Sequence, residues 1–308
     1  MLPVQEREHT QVRPNEHQTG YLLDVSDRPL VYLKGRDGLD LLQRISTNDV
    51  SRLALGESVQ TILTNEKGRI VDVLSVVKLE QDSLLLAGNS TGGQQLRHWL
   101  EKYIIMEDAS VENAGAQYKH FLIWGAADFR QQKQLSNGAI YFIDNWGGTR
   151  LLHILIPPNQ GNGLLTELRE EGYQVVSEEL FTKFRVEHAI PAYPNELSDL
   201  YNPMEAGLFD LINFTKGCYI GQEVIARLDT YKKVQKRLVR FELGAHPNVL
   251  PCSVHDEKEE VGTITSVATN VSETEILALG YMKTILIDKP TSLFFLKDSI
   301  RIDVRIKA

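Results

Sequence analysis

Cysteine is scarce in this 308-residue chain. Cys218 and Cys252 are too few for a disulfide framework and lack the paired spacing of a zinc site. In a reducing compartment both are free thiols. No apolar run reaches the ~18 residues that a membrane-spanning helix needs, so no membrane partner is expected. Neither a Gly-x-Ser-x-Gly frame nor a Gly-x-x-x-x-Gly-Lys-Ser/Thr loop is present, which removes two common nucleophile and phosphate-cradle chemistries. The eight histidines, at positions 9, 17, 98, 120, 153, 188, 246 and 255, stand singly without metal-ligand spacing, so no resident metal is expected. Internal repeats and low-complexity tracts are also missing. Positive charge is not in excess: the formal net charge is −8, and direct nucleic-acid binding is not expected unless a basic face is segregated. Residues 1–10 carry Glu6 and Glu8 and no basic flank before an apolar stretch, so the expected location is cytoplasmic, or an organelle after processing.

What is present is an ordinary globular composition, 42% hydrophobic and 24% charged, in a chain long enough for two or three packed units. Residues before about Gly20 are polar, carry Pro14 and read as a loosely held arm. Leu30–Leu33 reads as a strand, followed by a helix with Leu39, Leu41, Leu42 and Ile45 inward. A hairpin is expected around residues 65–68, with strands through Val71, Val73 and Val77 and at Leu84–Leu86. Leu96, Trp99, Leu100, Tyr103 and Ile104 mark one helical face. Strands return at 121–124, 140–143 and 151–156. Helices follow through Leu164–Leu168 and over 178–188, the second with Ser177 as N-cap. From about residue 237 strict alternation sets in, as in Val239, Phe241 and Leu243 and again in Ile300, Ile302, Val304 and Ile306, predicting a small all-β, barrel-like unit.

Three groups carry candidate chemistry. Cys218 lies in Lys216-Gly217-Cys218-Tyr219-Ile220-Gly221-Gln222-Glu223, just before an expected helix with Val224, Ile225 and Leu228 on one face. A helix N-terminus and the Lys216 ammonium would favour its thiolate, making it a nucleophile or soft-metal ligand; the alternative is an inert buried cysteine. Around Arg185, Glu187 and Glu196 a helix end turns through two prolines, where a carboxylate can face a cleft and accept the paired N–H groups of a pterin. Asp72, inside an otherwise apolar strand, needs a partner or a cavity, unless alternation sends it to water. The basic run Lys232, Lys233, Lys236 and Arg237 is either a solvated stretch or a landing site for an anionic tail.

The Lys216–Glu223 segment followed by Ala226-Arg227 resembles the signature of YgfZ-type proteins, a branch of the folate-binding superfamily that includes the glycine cleavage T-protein (aminomethyltransferase). Thr47-Asn48-Asp49-Val50, Lys67-Gly68-Arg69, Pro203 with Glu205-Ala206-Gly207-Leu208, and Gly262 with Thr265-Ser266 extend the similarity over about Gly20 to Tyr281. The resemblance implies an α+β fold of three domains around a central folate cavity: residues 1–50 with 117–236, an inserted α+β domain at 51–116, and a C-terminal β-barrel at 237–308. It implies tetrahydrofolate or a derivative as cofactor, Cys218 and Asp72 as catalytic residues, and Glu187, Glu196, Lys216 and Arg227 as cofactor-binding residues. Iron–sulfur enzymes, tRNA-modifying ones included, or their assembly factors are the implied partners. The aminomethyltransferases carry two adjacent aspartates where this chain has Asp72-Val73, so one-carbon transfer ranks second to an accessory role for iron–sulfur enzymes.

Overall fold

The computed structural model describes residues 20–90, 93–125, 138–231, 233–268, 275–289 and 291–307. The arm before Gly20 and Lys232 of the basic run lie outside these residues. Strand β1 (Gly20–Asp24) opens one sheet, and the chain then crosses to a second sheet with β2 (Leu30–Lys34). Helix α1 (Gly38–Ile45) buries Leu41, Leu42 and Ile45, while Leu39 packs at the margin. The hairpin is β3 (Ser58–Thr64) with β4 (Ile70–Glu80), paired in antiparallel register from Ser58↔Val77 to Thr64↔Ile70. β5 (Ser83–Gly88), α2 (Gly93–Glu101) and β6 (Ser110–Asn113) complete the second sheet, whose order is β3-β4-β5-β2-β6. Helix α2 ends at Glu101, so Tyr103 and Ile104 join that core from the following loop rather than from the helix.

The chain returns to the first sheet with β7 (Lys119–Trp124), β8 (Ile140–Trp146) and β9 (Thr149–Ile156). Helix α3 (Gly161–Glu170) and β10 (Tyr173–Val175) follow, giving the order β10-β1-β7-β9-β8. β1 and β10 pair in parallel. The hydrogen bonds do not divide the chain at residue 50: β2 pairs with β5 and β6, so the backbone ladder ties β2 to the second sheet. The two sheets meet over an apolar patch of Tyr32, Val77, Leu85, Phe142 and Leu155. A buried polar seam runs beside it. Ser75 Oγ donates to Asp144 Oδ1 at 2.5 Å, His153 Nε2 stands 3.2 Å from Asp144 Oδ2, and His153 Nδ1 meets His120 Nε2 at 2.8 Å.

Helix α4 (Glu178–Glu187) begins where Ser177 Oγ accepts the Leu180 N–H, as the N-cap reading expects. A long segment without regular strands then leads to α5 (Gln222–Thr230). Of the face expected on α5, only Ile225 is fully buried. The remaining strands are β11 (Lys236–Leu243), β12 (Cys252–His255), β13 (Glu260–Val267), β14 (Ile276–Lys283), β15 (Leu293–Lys297) and β16 (Ile300–Lys307). They form a closed barrel in the order β11-β14-β13-β12-β15-β16 around Phe241, Ile264, Met282 and Phe295. Closure removes the open strand edges that six alternating strands would otherwise present to other chains.

Candidate functional site

A cavity of about 300 Å³ opens where the two sheets and α4 converge. Asp27 and Arg28 reach it from the β1–β2 link, Asn89 and Ser90 from the end of β5, and Trp146 from the end of β8. Glu178, Phe181, Thr182 and Arg185 line it from α4, and residues 190–193 with Asn195 from the loop that follows. The Glu178–Phe181–Arg185 spacing follows the helical repeat, so one face of α4 forms a wall. A second hollow of about 260 Å³ shares Trp146 and Pro191 with the first and continues past His188 and Asp210 towards Leu238.

Asp72 stands directly behind the cavity residues Asn89 and Ser90. Its Oδ1 accepts the N–H groups of Val73, Asn89 and Ser90 at 2.8, 2.9 and 3.1 Å, and its Oδ2 accepts the Ser90 hydroxyl at 2.6 Å. Strand alternation therefore does not send it to water. Gly88 makes the arrangement sterically feasible, since a Cβ there would fall 2.6 Å from Asp72 Oδ2. Burial pushes the carboxyl up to about 6, against the hydrogen bonds that favour its ionised form.

Arg28 and Arg185 both line the cavity, and Arg185 is paired with Glu196. Arg28 Nη1 donates to Asn89 Oδ1 at 3.4 Å, and its guanidinium lies 5.8 Å from the Phe181 ring centroid. Desolvation lowers its pKa, while Glu178, Asp144, Asp27 and Asp72 oppose that shift through their charge. Desolvation raises Glu178, opposed by Arg28.

The polar loop after α4 divides differently from expectation. Glu196 is fully buried and holds no face towards the cavity: it pairs with Arg185 at 3.0 Å, accepts the Ala192 N–H at 3.0 Å and the Ser266 hydroxyl at 2.7 Å, and takes the Thr265 hydroxyl. Tyr281 Oη donates to its backbone carbonyl at 2.7 Å. With every lone pair engaged, Glu196 clamps the barrel to the α4 loop rather than offering a ligand contact. Glu187, half-buried, is 3.8 Å from Lys183 and does not line the cavity. Its position two residues after Arg185 turns it off the helix face that does.

The cysteine loop lies elsewhere in the same body. Cys218 is exposed, so the inert buried reading does not describe it. Lys216 Nζ donates to the carbonyls of Ser46 and Asn48 at 2.8 and 2.5 Å and lies 5.5 Å from the Tyr219 ring. Its ammonium is thus spent on the Thr47-Asn48-Asp49 turn, and desolvation lowers it to about 8. Thr47 fixes the same junction, donating from Oγ1 to the Leu211 carbonyl at 2.6 Å. Gly221, at φ 82°, packs where a Cβ would meet the Asn65 carbonyl at 2.6 Å, which seats the loop on the β3–β4 turn. Thr64 Oγ1 donates to the Ile220 carbonyl at 2.6 Å at that contact. Arg227 is exposed on α5. Neither Cys218, Lys216 nor Arg227 lines the cavity, and Lys233 and Lys236 do not either. Arg237 borders a separate hollow of about 170 Å³ with Glu205 and Ile287. The cavity residues that sequence reasoning passed over, Asp27, Arg28, Asn89, Ser90 and Glu178, sit at element ends, where apolar periodicity carries no signal. Among the described residues no group of three or more His, Cys, Asp and Glu side chains is arranged to hold a metal ion, and no helix is long and apolar enough to cross a membrane.

One mixed sheet, one antiparallel sheet, a closed barrel and a polar cavity at the junction of both sheets with α4 define an α+β protein. Residues 1–140 match the GCVT N-terminal domain family. An aminomethyltransferase of Desulfitobacterium hafniense is 28% identical over 285 residues, covering 84% of this chain and 77% of that protein. One from Halothermothrix orenii is 26% identical over the whole of this chain and 90% of its own. A chloroplastic protein of Arabidopsis thaliana named as a transferase is 26% identical, and this chain spans only 65% of its length. The crystal structure of aminomethyltransferase T from Bartonella henselae superposes with a TM-score of 0.80 at 16% identity, over 95% of this chain and 86% of that one. Together these comparisons support a likeness to the glycine cleavage T-protein superfamily.

Proposed function

We propose that the protein binds tetrahydrofolate or a derivative in the cavity and serves iron–sulfur enzymes, tRNA-modifying ones included, in the assembly, repair or protection of their clusters. A cytoplasmic location belongs to this reading. The cavity suits a folate: Trp146, Phe181 and Tyr193 offer flat apolar walls, and Arg28 and Glu178 leave donors and an acceptor open towards its interior. Bound there, a reduced folate would supply one-carbon chemistry at its ring nitrogens. Asp72, raised to about 6, would hold a proton behind Ser90 for part of the time near neutrality, the property that a general acid needs.

The observation that carries the iron–sulfur part is the loop from Lys216 to Glu223. Lys216 and Gly221 tie it to α1's end and the β3–β4 turn, yet it presents Cys218 to solvent. A rigid loop that exposes one soft thiol suits transient contact with a cluster on a client enzyme, the cluster being cargo rather than a resident group. Complementation of a strain lacking the homologue tests this. Cys218→Ala is expected to fold normally and to lose rescue of iron–sulfur enzyme activity; full rescue removes the thiol from the mechanism.

The similarity to aminomethyltransferases and the position of Asp72 favour a second reading, aminomethyl transfer to tetrahydrofolate. Val73 stands where the resemblance expects a second aspartate, and it is buried and apolar. Incubation with an aminomethylated lipoyl carrier and tetrahydrofolate is expected to give no methylene-tetrahydrofolate; steady product formation would instate this reading.

A further inference from the structure

We propose that Arg28 and Glu178 read the polar edge of a 2-amino-4-oxopyrimidine ring: the guanidinium donates to O4, and the carboxylate accepts the paired 2-amino and N3 hydrogens. This rests on the folate reading above and names the groups that orient the pterin. Both side chains line the same cavity, and each is left with capacity to spare. Of the five guanidinium N–H groups of Arg28, one makes a hydrogen bond among the described residues, at 3.4 Å to Asn89. The Glu178 carboxylate has no hydrogen-bond or ion-pair partner among the described residues. They line the cavity from different segments, the β1–β2 link and α4, and no ion pair joins them among the described residues, so a ligand edge can enter between them.

The sign pattern narrows that edge. A purely anionic group would meet Glu178 and Asp27 as like charges, and a purely cationic one would meet Arg28. An edge that presents two adjacent donors and then an acceptor satisfies both walls at once, because a carboxylate accepts two parallel N–H bonds and a guanidinium donates to a carbonyl oxygen. Phe181, three residues after Glu178 on α4 and 5.8 Å from the Arg28 guanidinium, and Trp146 offer flat surfaces for the ring. Glu187, the carboxylate to which the resemblance points, stands off the cavity and takes no part. Guanine carries the same donor–donor–acceptor edge, so the ligand's source has to be separated by experiment.

Titration calorimetry on the full chain at pH 7.5 decides it, with folic acid and aminopterin as probes, since they differ only in a 4-oxo against a 4-amino group. The wild type is expected to bind folic acid at least tenfold tighter than aminopterin. Arg28→Met should erase that preference, Glu178→Gln should weaken folic acid at least tenfold, and Glu187→Gln should change neither. Glu178 stands at the exposed rim, so its variant reports even where Arg28→Met does not fold. Equal affinity of the wild type for the two probes, or folded variants that keep folic acid affinity within twofold, overturns the edge assignment while leaving folate binding intact. Absence of any folate binding by the wild type removes both readings, and guanosine binding tighter than tetrahydrofolate transfers the edge to a nucleoside.

Discussion

Asp72 and Glu196 are both buried carboxylates, and their surroundings give them opposite tasks. Glu196 faces a cation, Arg185, and two barrel hydroxyls. Removing its charge leaves Arg185 buried without a counter-charge, a loss of about 3–5 kcal/mol. Glu196→Ala is therefore expected to lower the urea midpoint sharply and to loosen the barrel from α4, seen as faster proteolysis near residue 195. Asp72 faces no cation within ion-pair distance among the described residues, and burial raises its pKa from the usual carboxylate range to about 6. The folded state then binds the proton more tightly than the unfolded chain. Its contribution to stability is greatest below pH ~4 and is lost as pH rises to about 6, by of order 3 kcal/mol, and is flat above that. In Asp72→Asn this component is absent, so the wild-type minus variant difference in unfolding free energy should fall between pH 4 and 6.5; a constant difference would mean that the carboxyl titrates normally. Sequence could single out both residues as polar among apolar neighbours. It could not tell clamp from site, because the deciding partners, Arg185, Thr265 and Ser266 for one and Asn89 with Ser90 for the other, are 11 to 70 and 17 to 18 positions away.

At the scale of elements, the cysteine loop shows why its two glycines are not equivalent. A side chain at Gly221 would meet the Asn65 carbonyl at 2.6 Å and force an unfavourable positive φ, whereas one at Gly217 has nothing within 4 Å. Gly221→Ala should destabilise the protein by roughly 1–3 kcal/mol in thermal or urea unfolding, through strain and a backbone clash. Gly217→Ala should unfold like the wild type; if it impairs complementation, the cause is approach to a partner and not folding. The periodic elements were well marked in the sequence: α1, α4 with its Ser177 cap, the β3–β4 hairpin and the barrel strands β11 and β16 fall where apolar spacing places them. Short strands such as β6, β10 and β12 were not, since three or four residues carry too little alternation to separate them from loop. The membership of β2 was hidden for another reason. Its alternation marks a strand, but nothing local states which sheet supplies its partners.

Across the whole molecule, the two sheets are joined by the apolar patch and by the Ser75–Asp144–His153–His120 seam, next to the wall of the cavity. Burial holds the His120 imidazole well below its ordinary range, with the charges of His153 and Arg28 acting in the same direction. The unfolded chain accepts the proton first, so this contribution is fully present above pH ~6.5 and is lost as pH falls below it, opposite in sign to that of Asp72. His120→Gln is expected to be less stable than the wild type at pH 7.5 and to close that gap by pH 5, checked by urea midpoints. The cavity lies at the junction of both sheets with α4, which is why it is assembled from segments that the sequence spreads from Asp27 to Asn195. The most direct test is a structure determined with a reduced folate soaked in. The ring is expected between Asn89–Ser90 and the Phe181 face of α4, in contact with Arg28 and backed by Asp72. A folate bound at another surface, or a cavity left empty at saturating ligand, would contradict the account.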